Sequence, residues 1–144
     1  VVVVVKPWSD EKKPVLKEQY RKAIEDYIEP YRLINTKVTV ESARYAGICV
    51  HGKIALEQNS PKTRKAVLER ISRELSYTER KHPFGTVISY GQLFTALENT
   101  EGVKKVLELN LERTGNAARK NDRGDVLLDA DALGILEGTD LEFC

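Results

Sequence analysis

The sequence has no methionine, one tryptophan, two histidines and two cysteines among 144 residues. It also lacks an excess of either charge, with 23 Lys and Arg against 22 Asp and Glu. Each shortage excludes something. Cys49 and Cys144 are too few for the disulfide frameworks of small secreted chains, so two free thiols and a reducing compartment are expected, with one disulfide at most. Balanced charge removes the general electrostatic reason to bind nucleic acid or an anionic membrane, because that attraction runs on surplus Lys and Arg. No apolar run approaches the roughly 18 residues that span a bilayer. Val1 to Val5 is too short for a secretory signal and lacks its basic leader. Without a methionine there is no initiator. A start on Val1 therefore reads as the interior of a longer polypeptide, with the valines ending a strand begun upstream, or else as an artefact of preparation.

The length suits one compact domain, or a small domain with an extra helical arm. A core can form without disulfides or metals. Val1 to Val5 is β-branched throughout and reads as a strand. A polar connector with Pro7 and Pro14 leads to an amphipathic helix, about Val15 to Glu29. Its apolar stripe runs through Leu16, Tyr20, Ala23, Ile24, Tyr27, Ile28 and Tyr31, and Pro30 stops it. Strands follow at Lys37 to Ser42 and Tyr45 to Glu57; in the second, Ile48, Val50, Ile54 and Leu56 share one face while Cys49, His51 and Lys53 share the other. Ser60-Pro61 opens a helix to about Tyr77, with Val67, Ile71 and Leu75 as its stripe.

Pro83, Phe84 and Gly85 mark a turn before a short strand, Thr86 to Ile88. Ser89 with Gln92 three residues on is a capping-box pattern opening the next helix, which ends at Gly102. A strand from Val103 to Arg113 precedes a basic loop or hairpin tip at Thr114 to Gly124. Asp125 to Leu128 and Thr139 to Phe143 are expected closing strands, joined by Asp129 to Gly134. The order implies an α+β class: a mixed, mostly antiparallel sheet with helices on one face, most simply a split β-α-β or ferredoxin-like core, plus an N-terminal helical arm. The expected domains are 1–36, the strand and arm, and 37–144, the α+β sandwich.

Chemistry is scarce. Cys49 and His51 share a strand face, but a zinc site needs about four ligands and a nucleophile needs an orienting group, and His82 and Cys144 are remote. Asp129, Asp131 and Gly134 resemble the start of a calcium loop, yet Leu133 and Asp140 occupy its fifth and twelfth positions, so a tight turn is expected. Arg123-Gly124-Asp125 reads as a β-turn rather than an adhesion motif. Arg113, Arg119, Lys120 and Arg123 form a small basic loop, but Tyr45 and Phe143 alone do not make an RNA-stacking sheet. No metal, cofactor or catalytic set is expected. The remaining signal is aromatic: Trp8, Tyr20, Tyr27 and Tyr31 either dock the first helix on its own domain or form an interface with another subunit.

Taken in order, several segments resemble the C-terminal region of baseplate J-like proteins, wedge components of contractile phage tails and related injection particles. They are Val5 to Asp10, Tyr27-Ile28-Glu29-Pro30-Tyr31-Arg32-Leu33-Ile34-Asn35-Thr36, the strand pair at Lys37 to Val40 and Tyr45 to Ile48, and Pro83-Phe84-Gly85 with Ile88 to Phe94 and Glu101-Gly102-Val103. The resemblance reaches about residue 113, and the bulky N-terminal part of such proteins is missing. It implies a non-enzymatic structural subunit of a tail baseplate, prophage-encoded and present in bacterial cytoplasm before assembly. Its partners would be other baseplate or tail subunits, or itself, with no nucleic acid and no membrane anchor. The alternative is a ferredoxin-like module binding a small ligand or nucleic acid.

Overall fold

The computed structural model describes residues 1–7, 11, 13–75 and 84–144. They divide into two compact units, Val1–Arg44 and Tyr45–Cys144.

In the first unit the β-branched run becomes β1 (Val2–Val5), paired in parallel with β2 (Thr39–Ser42) so that Val2 faces Thr39 and Val5 faces Ser42. The chain between them carries α1 (Glu18–Ile28) and a 3-10 turn, Glu29–Tyr31. The helix starts later than its apolar stripe suggests. Leu16 donates its N–H to Ser42 Oγ at 3.0 Å, and Lys17 is extended at φ −71 and ψ 147, so 15–17 are spent on β2 rather than on a helical turn. At the other end Pro30 falls within the 3-10 turn, where its missing N–H costs little. Helix α1 packs on β2, and Glu25 Oε1 accepts the Val40 N–H at 3.3 Å.

The second unit is built on β3 (Arg44–Leu56), which lies between β5 (Val103–Thr114) and β8 (Ala132–Phe143). The β3–β5 pair is antiparallel, with Val50 opposite Leu111. At the end of β8, Cys144 N–H bonds to Ile54 O at 3.1 Å and Leu56 N–H bonds to Cys144 O at 2.8 Å. One residue bonding to two residues spaced around its neighbour is the parallel pattern, so β8 runs parallel to β3. Alternation in β3 works as expected: Ile48, Val50, Ile54 and Leu56 are buried, and Cys49, His51 and Lys53 are half-buried on the opposite face. Register shifts at Lys53/Ile54 leave Leu107 without a partner, and it is turned out to 46% exposure despite its place in an alternating apolar pattern.

Ser60 Oγ accepts the Thr63 N–H at 3.2 Å and starts α2 (Pro61–Leu75), which buries Val67, Ile71 and Leu75. The expected end at Tyr77 lies outside the described residues. Helix α3 (Tyr90–Glu98) buries Leu93, Ala96 and Leu97. Helix α2 touches β8, α3 touches β5, and the helices touch each other, so both cover one face of the sheet. A second sheet is formed by β4 (Val87–Ile88), β7 (Val126–Leu128) and β6 (Ala118–Lys120) in the order β4-β7-β6, all antiparallel.

The class is α+β. The split β-α-β arrangement expected for its core is realised as two three-stranded sheets, because β4 pairs with β7 instead of joining β3 and β5. Two further details correct the sequence reading. The expected 114–124 loop contains β6, and the last strand begins at Ala132, not Thr139. Gly134 explains the second correction. A Cβ there would lie 3.3 Å from Ile48 Cδ1 and 3.4 Å from Ile88 Cδ1, so glycine lets the strand pass close under the core, and its lack of a side chain erases the alternation.

Candidate protein–protein interface and the turn-and-cap site

Helix α1 holds Tyr20 and Tyr27 without burying any of its residues, and the 3-10 turn after it holds Tyr31. Ile24 and Ile28 are half-buried, together with Arg21 and Glu25. Tyr20, Tyr27 and Tyr31, spaced by seven and four, emerge on the exposed side. Tyr27 and Tyr31 are 73% and 75% exposed, and their ring centroids lie 5.9 Å apart at 42°. The chain leaving α1 adds Leu33 at 75% and Ile34 at 91% exposure. Asn35 then turns back with φ 64, a conformation that Asn tolerates better than most residues. Trp8, the fourth expected interface residue, lies outside the described residues.

Ion pairs run along the helix and the segment after it. Arg21 Nε donates to Glu18 Oε2 at 2.8 Å, Nη2 pairs with Glu18 Oε1, and Nη1 reaches Glu25 Oε1 at 3.2 Å. The Arg21 hydrogen bond holds the Glu18 carboxyl below its usual range, and Arg21 is raised in turn. Arg32 Nε donates to Glu29 Oε1 at 2.7 Å and its Nη1 to Thr36 O at 3.2 Å, tying the segment that carries Leu33 and Ile34.

The second predicted group, the turn and cap, falls in the other unit. Pro83 lies outside the described residues, and Phe84 is exposed. Gly85 has φ 69 and donates to Ala132 O at 3.3 Å, and a Cβ there would meet Ala130 Cα at 3.2 Å. Ser89 Oγ caps α3 by accepting the Gln92 N–H at 3.3 Å. Gly102 has φ 88 beside Thr63, whose Cγ2 would sit 2.6 Å from an added Cβ.

Sequence reasoning missed half of the cap. The Tyr90 N–H goes to Asp125 Oδ1 at 2.8 Å, and Asp125 is locked by Asn121, which donates to Oδ2 at 3.3 Å and accepts its backbone N–H at 3.0 Å. Tyr90 and Asp125 are 35 residues apart, and no local pattern connects them. The Arg123-Gly124-Asp125 stretch is the expected turn, closed by Gly124 N–H to Asn121 O at 3.2 Å.

The remaining candidates do not converge. His51 Nδ1 is 3.6 Å from Asp140 on the exposed sheet face. Cys49 and Cys144 are unpaired thiols. Asp129 O accepts the Ala132 N–H at 3.0 Å, as in a tight turn. In the basic loop, Lys120 bonds Glu112 at 2.9 Å and lowers its carboxyl pKa, while Arg113 turns to Gly115 O at 2.5 Å. An open recess of about 660 Å³ between α2 and α3 is lined by Arg70, Glu74, Ser89, Gln92, Thr95 and Asn99, and includes neither Cys49 nor His51. No described helix is long and apolar enough to cross a membrane.

No protein-family model matches the chain, and no curated protein matches it. Its fold is similar to part of a solved baseplate chain. Over 96% of this chain, with a TM-score of 0.70 and 15% sequence identity, it is similar to a chain in the cryo-EM structure of the anti-feeding prophage baseplate, solved with 6-fold symmetry. The present chain spans 28% of the length of that chain.

Proposed function

We propose that this chain is a structural, non-enzymatic part of a phage-like tail baseplate that works through protein–protein contacts. The observation that carries the reading is the fold shared with a baseplate chain across 96% of the residues. The exposed tyrosines support it. A helix whose aromatic side faces water within its own unit is what remains when a subunit interface is opened, since Tyr anchors interfaces at low entropic cost. Tyr20, Tyr27 and Tyr31 form the contact surface, flanked by Leu33 and Ile34. The turn and cap at Phe84, Gly85, Ser89, Gln92 and Gly102 shape the other unit rather than contact a partner. The particle is of the contractile injection type, encoded by a prophage and assembled from cytoplasmic subunits. Neither nucleic acid nor a membrane anchor enters this reading.

The test is made in cells producing the particle, with Tyr27→Ala and Tyr31→Ala combined. Both side chains are exposed, so folding stability should change by no more than ~0.5 kcal/mol. Electron microscopy should nevertheless show particles lacking baseplates, and antibody against the wild-type chain should label one end of intact tails. Intact baseplates in the double variant would remove the tyrosine surface from the proposal. Absence of the chain from purified tails would remove the baseplate role itself.

A further inference from the structure

We draw no further inference here: the strongest candidate, the open recess between α2 and α3 where Arg70 Nε lies buried without a hydrogen-bond partner among the described residues, carries no proposal, because the Arg70 side chain is 36% exposed and already pairs with Glu74 at 3.3 Å, and nothing in the structure shows what fills the recess.

Discussion

Asp125 carries more than its place in a surface turn suggests. Its two carboxylate oxygens serve different elements: Oδ1 takes the Tyr90 N–H at the start of α3, and Oδ2 takes the Asn121 side chain across the β6–β7 connection. Gly124 beside it has φ 85, and the Tyr90 ring carbons lie 3.5 Å from where its Cβ would be. The residue thus couples helix start, turn and ring placement. Removing it leaves a partly buried amide without its acceptor, at about 1–3 kcal/mol. Removing the Ser89 hydroxyl costs about 1 kcal/mol, the usual value for a cap. Asp125→Ala should therefore lower the urea midpoint further than Ser89→Ala, and an equal or smaller loss would show that the second cap is incidental.

Among the elements, α1 is the least buried helix. Lys17 offers no side-chain cap and no residue of the helix is fully buried, so packing on β2 with Ile24 and Ile28 half-buried is supplemented by the exposed Glu18–Arg21–Glu25 set and by Glu18 in the first turn, each a small contribution. Because the folded Glu18 pKa is depressed, its contribution is present above the unfolded pKa and disappears as pH falls through the folded one. An NMR titration should place the Glu18 midpoint lower in the wild type than in Arg21→Ala. Identical midpoints would exclude the pairing.

Legibility differs by element for the same kind of reason. Helix α2 and strand β3 were readable because their burial follows their own periodicity, Val67-Ile71-Leu75 and Ile48-Val50. Strand β8 was not, since Gly134 and Gly138 interrupt its alternation and its partner β3 lies far away in sequence. Strand β6 is three residues long and is defined only by β7. The tyrosine stripe was visible as a stripe, but spacing alone could not tell a helix facing its own core from one facing outward.

At the scale of the whole molecule, the core belongs to the second unit, where Ile48, Ile54, Ile71, Leu97 and Leu111 join one hydrophobic cluster. Its central strand is paired on one side by β5 and on the other by β8, and Cys144, just beyond β8, bonds across to Ile54. Those partners are 90 residues apart. Closing so long a loop is entropically slow, and the reward arrives only when the last strand docks. The order of events in time follows from this. Strands β3 and β5 with the two helices should gain protection first, and β8 last. Pulsed hydrogen exchange during refolding should find the amides of Ile135 to Phe143 open after those of Ile48 to Val50 have closed; simultaneous protection would contradict that order. During synthesis on the ribosome, the sheet would wait for its final strand to emerge, with one side of β3 unpaired until then.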